Sequence, residues 1–180
     1  RLLWLIGILT GVAILQLFVP IPGFGAGVLT PEGHINGYID RMLLPGRLAY
    51  DDGTYDALGI LSTISSVGVT LMGFFAGTFL KMKKLTGVKK TGILTVIGVC
   101  LVILGILVSP LYPPIKKCWT STFSLLAGGT SFMLIALFYL IVDVWGYRKW
   151  SFFFRVIGMN SIAIYIGARI INFWYTSEFL

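Results

Sequence analysis

The chain has 180 residues, of which 57% are hydrophobic and only 12% charged, and its mean hydropathy is +0.91. That balance excludes an ordinary soluble globular domain and puts the chain in the membrane class. The net charge of +7 does not point to nucleic acid, because the lysines and arginines gather at the ends of apolar stretches, where a membrane accounts for them.

A helix that crosses a bilayer needs about 20 apolar residues, and five stretches meet or approach that length. None has the weak alternating pattern of an outer-membrane strand, so a helical bundle is expected. The fold class expected is an all-α membrane protein. Residues 1–180 form a single transmembrane domain, a bundle of about five transmembrane helices with one polar outer loop that carries a short helix.

Span A covers residues 2–19. It begins directly after Arg1, with no Met and no small-residue cleavage site after it, so it reads as a true span rather than a signal peptide, and the chain as a piece of a longer protein. Pro20 and Pro22 end it, since proline has no amide proton to give a helix. The loop from Pro20 to Asp56 holds five of the seven acidic residues (Glu32, Asp40, Asp51, Asp52 and Asp56), with Arg41, Arg47 and the single histidine, His34. Its start is rich in glycine and proline and therefore irregular. Ile35 to Leu44 has the pattern of a short amphipathic helix, and Asp51-Asp52-Gly53 reads as a turn.

Span B covers residues 57–80. Ser62, Ser66, Thr70, Gly73 and Gly77 recur at helical spacing, and Gly73 with Gly77 forms a GxxxG pair suited to close helix contact in lipid. Close packing and a substrate channel lined by Ser62 and Ser66 are both compatible with that face. Lys81, Lys83, Lys84, Lys89 and Lys90 fill the next loop. Span C covers residues 91–109 and is broken by Pro110, Pro113 and Pro114. Span D covers residues 119–142 and ends at Asp143. A basic turn with Arg148 and Lys149 leads to span E, residues 152–172, interrupted near Gly158.

The positive-inside rule puts the lysine loop and the Arg148–Lys149 turn on the cytoplasmic side. The Pro20–Asp56 loop and the loop before span D then face outward, with Lys116 and Lys117 as two exceptions to the rule. No internal repeat is evident. Cys100 and Cys118 suggest neither a disulfide framework nor a metal site, and no nucleotide loop or catalytic triad is visible.

Span E is the richest in polar groups. Ser161, Tyr165, Arg169 and Asn172 share a stripe, with Asn160 beside it. An arginine within a span faces protein or water, or it snorkels to the interface. Asp143 is either a solvated helix-end carboxylate or part of a site. His34 reads as a loop residue or as a general base. Asp40 and Arg41 either brace the outer loop or bind a sugar. Lys83, Lys84, Lys89 and Lys90 either set topology or attract the phosphates of an anionic substrate.

Five segments then carry a family resemblance. Gly37-Tyr38-Ile39-Asp40-Arg41-Met42-Leu43-Leu44 resembles the outer-loop motif of the heparan-alpha-glucosaminide N-acetyltransferase family and its bacterial relatives. Tyr55-Asp56-Ala57-Leu58-Gly59-Ile60-Leu61-Ser62-Thr63-Ile64 resembles that family's Asp-Pro-Glu-Gly segment. Lys116 to Trp119 with Thr120-Ser121-Thr122-Phe123 resembles its Asn-Lys-x-x-Trp-Thr-Ser segment. Val142-Asp143-Val144 and Gly158-Met159-Asn160-Ser161-Ile162 complete the series in the same order, over nearly the whole chain. Ala57 and Leu58 stand where the family has Pro and Glu, and Ile115 where it usually has Asn.

The resemblance implies the carboxy-terminal half of a multi-pass acyltransferase, with acetyl-CoA as co-substrate, no metal, and an amino sugar or glycan as acceptor on the periplasmic or luminal side. It also implies that the family's catalytic histidine lies in a missing amino-terminal half; His34 does not match it. This piece alone is then not expected to turn over. Candidate acceptor-side residues are Tyr38, Asp40, Arg41 and Asp56. Candidate polar-site residues within the membrane are Ser62, Lys116, Trp119, Ser121, Asn160, Ser161, Tyr165 and Arg169. Candidate CoA-side residues are Lys83, Lys84, Lys89 and Lys90. The partners expected are the lipid bilayer, the acceptor, the missing half and a second copy of the chain. The absence of an Asn-x-Ser/Thr sequon leans toward a bacterial inner membrane over a lysosome. A transporter or flippase domain, which would also want an intramembrane polar stripe, and an inactive membrane scaffold stay open beside the enzyme.

Overall fold

A computed structural model describes residues 2–30, 32–44, 56 and 59–170, without the side chains of 168–170. Its regular structure is helical, and among the described residues the only β-pairing is a single bridge between Ile21 and Gly25. The chain divides into two units, Arg1–Leu137 and Phe138–Leu180.

The first unit begins with α1 (Leu2–Phe18), an apolar helix that buries only Val12 and Gln16. Pro20 stops it, and the chain reverses at Ile21–Gly25. There the Ile21 N–H donates to the Gly25 carbonyl at 2.8 Å and the Gly25 N–H donates back at 2.9 Å. Gly23 and Gly25 hold φ of 86° and 90°, a region closed to most side chains. The short helix expected at Ile35–Leu44 is α2 (Ile35–Leu43). It buries Ile35, Asn36, Gly37 and Asp40, while Arg41, Met42 and Leu43 face outward.

Three long helices follow: α3 (Ile60–Lys81), α4 (Gly87–Val108) and α5 (Ser121–Tyr139). The 22 residues of α3 and of α4 reach about 33 Å at roughly 1.5 Å per residue, enough to cross the hydrocarbon core. These two helices and the run Ser121–Val144 are long and apolar enough to span a membrane, while α1 is a shorter apolar helix of 17 residues. The many exposed Leu, Ile, Val and Phe side chains are what helices facing lipid carry. Met72, Ala76, Leu94, Phe132 and Ala136 form the inner core, and Ile21, Ile35 and Leu61 form a second cluster beneath α2.

Helix boundaries differ from expectation for local reasons. Helix α4 starts at Gly87, so Lys89 and Lys90 belong to its first turn rather than to the loop. Helix α5 starts at Ser121 because Trp119 has a φ of 48° and the Thr120 hydroxyl oxygen accepts the Phe123 N–H at 3.3 Å, an N-cap bond. The first residues of the expected span B, 57 and 58, and the last of span E, 171 and 172, lie outside the described residues.

The close helix contact also falls elsewhere than expected. A Cβ on Gly73 or Gly77 would meet nothing within 4 Å, whereas a Cβ on Gly98 would lie 2.7 Å from the Gly129 carbonyl oxygen, and one on Gly129 would lie 2.7 Å from that of Gly98. The backbones of α4 and α5 therefore touch at Gly98 and Gly129. On α3 the buried face runs through Ser62, Ser65, Gly68, Met72 and Ala76, rotated from the Ser66–Thr70–Gly73–Gly77 side.

In the second unit α5 ends in a π-helical turn (Leu140–Val144), followed by α6 (Ser151–Met159) and α7 (Ser161–Ile170). The expected span E is thus two consecutive helices. They part at Asn160, whose φ of −109° and ψ of 22° leave the helical region, two residues after the expected interruption.

Gly129→Leu is expected to destabilise the folded protein in detergent by about 1–3 kcal/mol, because the obstacle is backbone that cannot move aside. Gly77→Leu is expected to stay within about 0.5 kcal/mol. Thermal unfolding of the two variants checks the contrast, and an equal loss in both would show the contact to be misplaced.

Candidate functional site

One end of the first unit is organised by buried amides. Gln16 and Asn36 sit on different helices, and each is almost wholly shielded from solvent. The Gln16 amide nitrogen donates to Asn36 Oδ1 at 3.0 Å and to the Cys118 carbonyl at 2.8 Å. The Asn36 amide nitrogen donates to Ser62 Oγ at 3.0 Å and to the same Cys118 carbonyl at 2.9 Å. The Tyr112 hydroxyl donates to Gln16 Oε1 and accepts the Ser121 N–H at 3.2 Å. The Ser121 hydroxyl donates to the Leu9 carbonyl at 2.6 Å. The network thus ties α1, α2, α3, the loop before α5 and the start of α5 to one another, and both amide side chains use both amide protons and the carbonyl oxygen. A network satisfied in this way fixes positions. Burial pushes the Tyr112 phenol up to about 12 and the Cys118 thiol up to about 11, so both are neutral at physiological pH, and Cys118 is a buried thiol rather than a nucleophile.

Asp40 stands beside this network. It is fully buried on α2, and its Oδ1 accepts the Ile60 N–H at 3.1 Å, capping α3 from another helix. A negative group there also suits the helix dipole. Gly59 makes this possible, because any Cβ at that position would collide with the Asp40 carboxyl group. The second oxygen, Oδ2, is buried without a hydrogen-bond partner. Burial raises the carboxyl above its ordinary value of 3.8, against the pull of the Ile60 N–H. His34, at the N-cap position of α2, is also fully buried and acts electrostatically on Asp40.

The structure thus brings together Tyr38, Asp40, Asp56 and Ser62 around the start of α3, with Ser121 joined through Tyr112. Tyr38 packs on the Ile21–Ile35–Leu61 cluster. The Asp56 carbonyl accepts the Gly59 N–H at 3.1 Å. Exposed Arg41 donates to the Glu32 carbonyl at 3.0 Å. Trp119 is half-buried, its indole N–H has no acceptor, and its ring meets Phe123 edge-on at 5.7 Å. Lys116 is exposed. Gln16, Asn36 and Tyr112, which hold the network, are absent from the residues singled out in the sequence. Gln16 alone carried a signal, as an amide inside an apolar span.

Asn160, Ser161 and Tyr165 belong to the second unit, where all three are exposed. The Asn160 amide donates to the Val156 carbonyl at 2.8 Å, and Ser161 opens α7. The side chain of Arg169 and all of Asn172 lie outside the described residues. Of the four candidate CoA-side lysines, Lys83, Lys84 and Lys89 are exposed. Lys90 is buried and donates to the Leu80 carbonyl at 2.7 Å, at the C-terminal end of α3, where a cation is favoured. Among the described residues no three His, Cys, Asp or Glu side chains gather as metal ligands.

Two curated relatives match the chain. The heparan-alpha-glucosaminide N-acetyltransferase of Mus musculus is 29% identical over 192 residues, covering 89% of this chain and 29% of the relative. That of Homo sapiens is 28% identical over 192 residues, covering 89% of this chain and 28% of the relative. The chain therefore spans less than a third of the length of these proteins. No family model matches it. The two similarities support the family resemblance carried by the five motifs.

Gln16→Ala leaves the Tyr112 hydroxyl, Asn36 Oδ1 and the Cys118 carbonyl short of a partner, so a loss of about 1–3 kcal/mol is expected in thermal unfolding; a change within error would show that the amide network does not hold this end. For Asp40 the raised carboxyl means that the protonated form is favoured in the folded state. Its contribution to stability is then present at low pH and lost as pH rises above 3.8 through the higher folded value. Asp40→Asn, which keeps an acceptor for Ile60, is expected to remove that component of the pH dependence, while Asp40→Ala loses the cap at a cost of about 1 kcal/mol. Unfolding measured across pH for the three proteins checks this, and identical profiles would sink it.

Proposed function

We propose that the chain is part of a membrane N-acetyltransferase that moves an acetyl group from acetyl-CoA, on the face bearing the lysines between α3 and α4, to an amino sugar on the other face. The observation that carries the reading is the match to two N-acetyltransferases over 89% of the chain, together with the position of the motif residues Tyr38, Asp40, Asp56 and Ser62 around a single helix start. The lysine distribution supports the sidedness through the positive-inside rule, and the lack of a sequon favours a bacterial inner membrane.

In this reaction the free amine attacks the thioester carbonyl carbon. A C–N bond forms and the C–S bond breaks. The amine gives up a proton to a base, and the departing thiolate takes one up, leaving CoA and the N-acetyl sugar. Base and oxyanion donors are what such a transfer requires. On this reading the α2 helix is the acceptor side. Asp40 holds α2 against α3, while exposed Arg41, half-buried Tyr38 and Asp56 are the groups available to sugar hydroxyls. Asn160, Ser161 and Tyr165 are hydrogen-bond donors carried by the second unit, and Lys116 is one carried by the first. No residue of this chain is assigned the role of base.

The test uses the full-length protein in detergent with radiolabelled acetyl-CoA and glucosamine. Labelled N-acetylglucosamine is expected to accumulate. A folded sample that acetylates none of several amino sugars overturns the reading.

A further inference from the structure

The second unit holds a polar pocket that the reading above leaves unused. It has a volume of about 640 Å³ and is lined by Val142, Asp143, Arg148, Lys149, Ser151, Phe152 and Arg155. Its shape comes from two backbone features. The π-helical turn closes with the Trp145 N–H donating to the Leu140 carbonyl at 2.8 Å, and Gly146 with φ 76° then turns the chain back on itself. The Tyr147 N–H donates to the Ile141 carbonyl at 3.0 Å, which sets Arg148 and Lys149 against the end of the turn. The Ser151 hydroxyl donates to the Arg148 carbonyl at 2.8 Å and so fixes the entry to α6. π-Helical turns of this kind often mark functional positions.

The charges are lopsided. Three cations, Arg148, Lys149 and Arg155, share the pocket with one carboxylate, Asp143, and all four are exposed. Arg155 stands over the Phe152 ring at 5.8 Å, and its guanidinium is a fork of donors. The first turn of α6, with no side-chain cap, adds the positive end of a helix dipole, although its Phe152 N–H donates to the Lys149 carbonyl at 3.4 Å. A wall of Phe138, Trp150, Phe153 and Phe154, with ring contacts of 5.6–5.9 Å, stiffens the same segment. Guanidinium forks and an ammonium around a concavity are what phosphate oxygens require. Lys90, in the first turn of α4, already donates to the Leu80 carbonyl.

We infer that the pocket formed by Arg148, Lys149, Ser151 and Arg155 is a binding site for a phosphate-ester anion. Two sources carry that chemistry at a membrane face: the nucleotide phosphates of a CoA donor, which rests on the function proposed above, and the headgroup of an anionic phospholipid.

The test uses the full-length protein in nanodiscs of neutral phosphatidylcholine, with unacylated CoA as the first probe and nanodiscs doped with phosphatidylglycerol as the second. Arg148→Ala is expected to weaken the binding of one probe roughly tenfold, the effect of losing one charge-assisted contact. Lys81→Ala, which removes the same charge from an exposed position outside the pocket, is expected to leave it unchanged. Loss confined to CoA assigns the site to the donor, and loss confined to phosphatidylglycerol assigns it to lipid. Equal effects of the two substitutions, or none, overturn the site. Because binding is read without turnover, a protein that acetylates no sugar yet shows the Arg148-dependent loss retains the anion site while the enzyme reading falls.

Discussion

The Cys118 carbonyl oxygen accepts two side-chain amides, one from α1 and one from α2, and the first unit depends on that junction. In a setting poor in water, a loop carbonyl and two amides have no substitute partners, and each one left unpaired costs more than an ordinary hydrogen bond contributes. The junction therefore acts as a constraint on register as well as a source of stability. Gln16 sets the depth of α1, Asn36 sets the rotation of α2, and Ser62 sets where α3 starts. Tyr112 closes the group from the loop side. The residues that resemble the family's outer motifs hang from this frame, so their positions are determined by amides that carry no motif of their own.

Much of the architecture was legible from apolar length alone, because crossing hydrocarbon demands long uninterrupted helices whatever else a chain does. The amphipathic α2 was legible for the same kind of reason: within nine residues Ile35 lies on a buried side and Arg41 on a solvated one. Which helix face meets which neighbour was not. The Gly73–Gly77 spacing describes a face that permits close approach, but permission is not contact, and the approach took place at Gly98 and Gly129, two glycines that no short-range pattern links. Span E read as interrupted near Gly158 because glycine weakens a helix, but the break lies two residues on, in the backbone angles of Asn160.

The residues gathered at the start of α3 were legible in their acidic and hydroxyl members, and of the amides that hold them only Gln16 carried a signal. Asp40, Asp56 and Ser62 were visible as polar residues in or beside apolar surroundings. Gln16 lies 20 positions from Asn36 and 96 from Tyr112 in the chain, and only the fold makes the three neighbours. Lysines were the opposite case. Their charge was conspicuous, but the fold turns one ammonium inward: that of Lys90 donates to the open carbonyl at the end of α3. The cations of the Arg148–Arg155 segment read as topology signals, and only the π-helical turn and Gly146 give them a concave surface.

The contact between Asp40 and Gly59 has a consequence for descent. A carboxyl group occupies the volume that a side chain at position 59 would need, so the two positions cannot drift separately. A lineage that acquires alanine at 59 must move or shorten the side chain at 40, and either way disturbs the cap on α3. Among diverged sequences of this type, these two columns are expected to change together or not at all, and the pair can be sought as a coupled signature where overall identity has fallen too low to read.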